Sequence, residues 1–317
     1  MAFNLAVMDE QERIGFLLRS LYQEKGFTRY RMSKFEEYDL YSRNKDFLLS
    51  DGVITFTDTN GRLMALKPDV TLSMVRNVRD CGEGLRKLYY HENVYRVAEG
   101  SDGFREEAQV GIECMGKVDG KTISEVLRLA EESLAALSSH YVLEISHLDL
   151  LGALTDMIAI DDDMRIRILR CAGEKNLHGI REICRENGLA KGAESALTGL
   201  LESYGSPRNV MPRVRSIAEE NGCSEYAREL AQAVAAFTGT PAEDRIWIDF
   251  SATGDLKYYN GIAFKGFLRG IPDPVLSGGQ YDKLMKRMHR RDRAVGFAVF
   301  LRQLDRLSRE GGIASDG

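Results

Sequence analysis

The chain of 317 residues is 44% hydrophobic and 29% charged, with a formal net charge of −5. That length supports one or two domains around a sizeable core, and the acidic balance gives no global footprint for nucleic acid. No apolar run approaches the roughly 18 residues of a membrane-spanning helix, and the opening MAFNLAVMDEQER lacks the basic-then-apolar pattern of a secretory leader.

Five cysteines without a C-x-x-C pair, and five scattered histidines, argue against a metal site. Reduced thiols in a cytoplasmic protein are expected.

Ile14, Leu17, Leu18, Leu21 and Tyr22 follow helical spacing after the acidic turn Asp9 to Glu12, with Gly26 as the stop. FTRYRMSKFEEYDLY reads as a strand and then a short helix. Val53 to Asp58 and Leu63 to Lys67 alternate as strands and are joined through Asn60-Gly61, a strong hairpin signal. Lys67-Pro68-Asp69-Val70-Thr71 follows at a strand end, where Asp69 and Thr71 either cap the next helix or face a ligand.

Leu88 to Val97 and Gln109 to Met115 form an antiparallel pair across a wide, charged connection. Positions four apart on a strand share a face. Gln109 and Glu113 therefore lie side by side near Arg96, which closes the first strand. A guanidinium, an amide and a carboxylate over one sheet surface suit an amino acid or a nucleotide.

Thr122-Ile123-Ser124-Glu125 reads as a capping box, ahead of a helix with Ile123, Val126, Ala130, Leu134 and Leu137 on one face. Val142 to Leu148 is a buried strand, with His147 as a hydrogen-bonded core residue. From Gly152 to about Phe237 strand signals vanish and helical patterns follow one another: MRIRILRCAGEKN, GIREICRENG, GAESALTGLLESYG and EYARELAQAVAAF. This block is a helical insertion. Ile246 to Phe250 returns to strand. Tyr258-Tyr259 before the next strand is either core packing or a ligand wall. Gly278-Gly279 would let a strand backbone approach a ligand closely. The basic run Lys283 to Arg293 is either a solvated face or a phosphate-binding patch.

YRVAEGSDGFREEAQVGIECMG resembles the second signature motif of class II aminoacyl-tRNA synthetases in its histidyl form, where an Arg closes a strand and a Gln-x-Gly-x-Glu strand returns. The first motif is matched loosely, with Ser33 where its proline stands. Asp69 and Thr71 match an Arg-Pro-Glu-x-Thr segment whose acid binds the amino group of histidine. DFSATGDLKYYNGIAFKGF resembles the histidine-binding motif, and Gly278-Gly279 with AVGFAVFLRQLDRL resembles the third.

The resemblance implies an α+β fold, a mostly antiparallel synthetase-like sheet flanked by helices. Its core would comprise residues 1–151 and 239–317, with the insertion at 152–238 and no anticodon-binding domain. It also implies a histidine-like pocket of Asp69, Thr71, Arg96, Gln109, Glu113, Tyr258, Tyr259, Gly278 and Gly279, with no metal or cofactor.

The departures are as informative. Of three family arginines only Arg96 is kept; Gly254 and Gln303 stand at the other two, Lys257 replaces an acid, and Ala98 stands where an acid is expected beside Glu99. Arg302 lies one helical position, about 100°, from the expected direction.

This combination is similar to the catalytically silent paralogues that regulate ATP phosphoribosyltransferase. That likeness implies a short-form catalytic subunit as partner, a homodimer within a hetero-octamer, and histidine as ligand, either in this pocket or at the subunit interface. A degenerate synthetase or amino-acid:AMP ligase, and a nucleic-acid-binding paralogue, are the alternatives.

Overall fold

The computed structural model describes residues 7–48, 52–97, 103–188, 191–251, 256 and 258–304. Helix α1 (Glu10–Glu24) starts at Asp9, whose side chain accepts from the Glu12 amide while Glu12 reaches back to the Asp9 amide. Ile14, Leu18 and Tyr22 are buried, Leu17 is exposed, and Gly26 ends the helix. β1 (Thr28–Arg29) joins the main sheet, whereas β2 (Phe35–Glu37) belongs to a small one, so the single strand read there is two. After α2 (Tyr38–Ser42), β3 (Thr55–Thr57) and β4 (Leu63–Leu66) make the predicted hairpin. Asp58 holds its turn by accepting from the Asn60 and Arg62 amides, and Gly61 supplies φ 78°. The hairpin hands the chain to α3 (Val70–Asn77).

The main sheet is built on β5 (Leu85–Val97) and β6 (Phe104–Gly116), paired over their full length. Both run longer than their sequence suggested. Arg105, Glu106 and Glu107 interrupt the apolar alternation because this end of the hairpin is partly exposed on both faces. α4 (Gly120–Leu137) begins at Asp119, not at the Thr122 capping box. The Asp119 carboxylate accepts from both the amide and the hydroxyl of Thr122, so the aspartate takes the cap and Thr122 moves inside. The face read from periodicity is buried as expected.

β7 (Tyr141–His147) follows, and His147 is fully buried. It accepts from the Leu150 amide and bonds Glu229 at 3.0 Å, so it is a structural histidine. Then come α5 (Leu148–Asp156), α6 (Asp162–Gly173), α7 (Leu177–Glu186), α8 (Lys191–Leu201), α9 (Pro207–Glu220) and α10 (Ser224–Ala235). α9 has no counterpart among the sequence patterns, because Pro207 opens it and Pro212 lies inside it. β8 (Ile246–Ile248) lies parallel to β7, so the helical run leaves and re-enters the sheet at neighbouring strands.

β9 (Asn260–Leu268), β10 (Leu276–Gln280), α11 (Asp282–Arg287) and β11 (Arg293–Phe300) complete the fold. The sheet order is β1-β5-β6-β11-β10-β9-β7-β8, antiparallel except at β1–β5 and β7–β8; β2-β4-β3 form the second sheet.

Strand alternation divides the main sheet into two faces. Val110, Ile112 and Cys114 of β6 pack with α1 and α4 in the larger core. Each fully buried Leu or Ile there contributes roughly 1.5–3 kcal/mol. Tyr90, Val94 and Tyr281 belong to the smaller core under α3 and α11. Gln109, Gly111 and Glu113 alternate onto this second side.

Candidate functional site

The second side holds a small pocket lined by Asp69, Thr71, Tyr90, Arg96, Gln109, Glu113, Tyr258, Tyr259 and Tyr281, together with Ser277 and Phe300. Segments far apart in sequence meet here: β6 pairs with β5 on one side and β11 on the other, while Asp69 and Thr71 come from the start of α3 and Tyr258 and Tyr259 from the stretch before β9. Gly296 of β11 lies opposite Glu113, and Phe300 opposite Gln109.

Glu113 is the centre of the arrangement and is 2% exposed. Thr71 donates to one carboxylate oxygen at 2.7 Å and Tyr281 to the other at 2.6 Å. Burial outweighs these bonds and, with the Asp69 charge nearby, pushes Glu113 up to about 8. Asp69 is likewise raised by burial, while the Leu72 amide and Arg96 pull the other way. Its side chain accepts from that amide at 2.8 Å. Asp69 thus both caps α3 and faces the pocket, and the two readings of it are compatible.

Gln109 is 4% exposed, and its Nε2 has no hydrogen-bond partner among the described residues. A buried amide donor left unpaired costs about 1–3 kcal/mol, so a ligand acceptor there would be favoured. Arg96 donates from Nε to the Pro68 carbonyl at 3.2 Å and pairs with Glu107 at the same distance. Tyr258 and Tyr259 stack edge to face, with ring centroids 4.8 Å apart, and form a wall.

The glycine pair divides, because neighbouring strand residues face opposite sides. A Cβ on Gly279 would meet the Tyr259 ring at 3.0 Å. One on Gly278 would strike Phe297 Cβ at 2.4 Å and Phe264 Cζ at 2.6 Å. Gly278 therefore makes room for core aromatics and does not line the pocket, contrary to the sequence expectation.

The glycine that the pocket itself needs is Gly296, where a Cβ would lie 1.9 Å from Glu113 Oε2 and 2.4 Å from the Ile112 carbonyl. The carboxylate can swing; the strand carbonyl cannot. Gly296→Ala is expected to destabilise by about 1–3 kcal/mol or more, read as a lowered urea midpoint. An unchanged midpoint would show that β11 shifts freely.

Sequence reasoning missed Tyr90, Tyr281 and Glu107. Tyr281 lies beside the quoted glycine pair, but nothing local marks it as the partner of Glu113. Arg302 also departs from expectation: its guanidinium comes within 3.7 Å of Glu107, on the same carboxylate that holds Arg96. Positions 98, 99, 254 and 257, compared above, lie outside the described residues.

Half of the lysines and arginines in the basic run are tied down. Arg290 donates to the Val75 and Arg76 carbonyls at the end of α3, Arg293 pairs with Asp282, and Lys283 lies 3.6 Å from Asp149.

The sequence profile described as histidyl-tRNA synthetase matches residues 6–304. The chain belongs to the histidyl-tRNA synthetase family. Among relatives, it is 26% identical to the ATP phosphoribosyltransferase regulatory subunit of Alkaliphilus metalliredigens, over 89% of this chain and 72% of that one. It is 25% identical to the protein of the same description from Oceanobacillus iheyensis, over 89% and 69%.

Among solved structures, the ATP phosphoribosyltransferase regulatory subunit/histidyl-tRNA synthetase of Bacillus halodurans superposes with a TM-score of 0.82 at 23% identity, covering 95% of this chain and 79% of that one. A chain of the ATP phosphoribosyl transferase (HisG:HisZ) complex of Thermotoga maritima gives 0.71 at 19% identity, covering 93% and 98%. These likenesses establish the histidyl-tRNA synthetase-like fold, a large central sheet flanked by helices.

In this family member the pocket volume is about 40 Å³, well below the ~300 Å³ at the lower end of small-molecule sites. An amino acid enters only if part of the wall moves. No group of three or more potential ligands arranged for a metal occurs among the described residues, nor does a helix long and apolar enough to cross a membrane.

Proposed function

We propose that this chain is a non-catalytic, cytoplasmic regulatory subunit of ATP phosphoribosyltransferase. In this reading it assembles with the short-form catalytic subunit, raises its activity and contributes to histidine feedback inhibition of the first step of histidine biosynthesis. Residues 1–151 and 239–317 form its synthetase-like core, 152–238 the insertion, and a dimer of the chain sits within a hetero-octamer.

The observation that carries this reading is the pocket's charge. Its acids, amide and hydroxyls are in place, but Arg96 is its only lysine or arginine among the described residues, and Glu107 pairs with it. Joining a carboxylate to a phosphate requires preorganised cations at the developing charge. A pocket whose one lining cation is already paired still binds, and a ligand that prefers one arrangement of a complex shifts it by differential affinity alone. The relatives described as regulatory subunits support the same reading. Histidine in the pocket would place its amino group or imidazole N–H against Glu113 or Asp69, and its carboxylate against Arg96 and Gln109.

The test is turnover of a short-form ATP phosphoribosyltransferase, alone and mixed with this chain, each with and without histidine. The expected result is several-fold activation on mixing, with inhibition by histidine confined to the mixture. Glu113→Gln and Arg96→Ala then locate the ligand: they weaken inhibition if histidine uses this pocket and leave it unchanged if it binds at the subunit interface. No activation and no co-elution would overturn the reading. One observation favours a second reading, an amino-acid-activating enzyme: Arg302 brings a further cation to the pocket mouth. Histidine-dependent exchange of pyrophosphate into ATP would be its signature.

A further inference from the structure

Two residues beyond Gln109, on the same face of β6, Glu107 stands at the mouth of the pocket. Its carboxylate is shared between two guanidinium groups, Oε2 lying 3.2 Å from Arg96 Nη1 and Oε1 3.7 Å from Arg302 Nη1. Arg105 lies directly opposite Arg96 in the β5–β6 register and makes no ion pair among the described residues. Like charges opposed across a pair of strands repel. Arg96 and Arg302 therefore flank one carboxylate, with Arg105 on the same face of the hairpin; two cations so placed suit an anion, and the chain's own side chain fills the position between them.

The geometry points to Glu107 as the residue that sets the class of ligand. By occupying the anion position between Arg96 and Arg302, it keeps phosphate-bearing ligands out of the mouth and leaves the inner pocket to an unphosphorylated amino acid. This rests on the amino-acid reading of the pocket for its second half only. A phosphate approaching these guanidinium groups must displace a carboxylate already held by both and then remain close to its negative charge. Both obstacles vanish when the carboxylate becomes an amide of the same shape. Glu107 is a specificity residue acting through charge, 21% exposed in its side chain, so its neutral variant is expected to fold.

The experiment is a calorimetric titration of the intact protein with inorganic pyrophosphate at low ionic strength. It compares wild type, Glu107→Gln and the double variant Glu107→Gln/Arg302→Ala. The expected result is affinity at least tenfold higher for Glu107→Gln than for wild type, with the gain lost in the double variant. Equal affinity in wild type and Glu107→Gln would overturn the proposal. So would a gain that survives Arg302→Ala, because the anion would then not sit between the two arginines. Histidine is titrated into the same three proteins. Its failure to bind any of them would remove the amino-acid reading of the inner pocket, while the pyrophosphate comparison would still decide the role of Glu107.

Discussion

The ligand-free protein is expected to lose stability as pH rises from 5 to 8, and Glu113→Gln is expected to remove a large part of that slope. An unfolded glutamate gives up its proton near the ordinary value of 4.5, whereas buried Glu113 keeps its proton up to about 8. Between these values the folded state binds more protons than the unfolded state, so the free energy of unfolding falls as pH rises. The contribution is fully present below 4.5 and lost by about 8, and a shift of this size is worth roughly 3–5 kcal/mol. Asp69, also raised by burial, adds a slope of the same sign. The difference between wild type and Glu113→Gln therefore isolates Glu113. Urea unfolding at pH 5, 6.5 and 8 measures it, and parallel curves for the two proteins would show that Glu113 is ionised in the folded state at neutral pH. A cationic amino acid entering beside Glu113 would draw the proton off, so binding near pH 7 should release protons, with a calorimetric heat that varies with the buffer.

The second large effect lies at Lys67, whose side chain is fully buried and pairs at 2.8 Å with Glu92, 14% exposed. Burial lowers the pKa of Lys67, and Glu92 opposes that shift. Removing one partner of a buried pair strands the other, and the two partners differ in access to water. Glu92→Leu leaves the ammonium with no solvent and is expected to cost about 3–5 kcal/mol. Lys67→Met should cost less, because Glu92 retains contact with water. The double variant, with neither charge to desolvate, should be more stable than Glu92→Leu alone. Thermal unfolding of the four proteins gives the coupling energy directly. Equal and additive single costs would mean that the pair does not act as a unit.

Much of the fold was legible because local chemistry and tertiary demand agreed. The helical spacing from Ile14 to Tyr22 with its stop at Gly26, and Asn60-Gly61 between alternating strands, each had one favourable conformation and took it. Legibility failed where two local signals competed or a rule was broken. Asp119 outcompeted Thr122 for the cap of α4. Pro207 and Pro212 disguised α9, and the charged run at Arg105–Glu107 disguised strand.

The sequence placed Asp69, Thr71, Arg96, Gln109, Glu113, Tyr258 and Tyr259 at strand ends or at a fixed spacing, and the fold brings all seven to one pocket. Tyr90, Tyr281 and Glu107 were not legible, because their importance lies only in what the fold sets beside them. Gly278 was misread for a simpler reason: of two adjacent strand residues, only one can face a given side.

The pairing of β6 with β11 sets Gly111 against Ala298, and this has a consequence for the order of folding. Closing so long a loop costs entropy before any contact repays it, and proteins dominated by such distant pairings fold slowly. Helices α6–α9 contact mainly other helices of the same run and are free to form early. During synthesis the hairpin β5–β6 emerges long before its partner strand, with one edge of β6 unpaired and exposed to wrong partners. The pocket is therefore among the last parts of the molecule to exist, and a fragment ending before β11 would carry most of its residues without being able to assemble it.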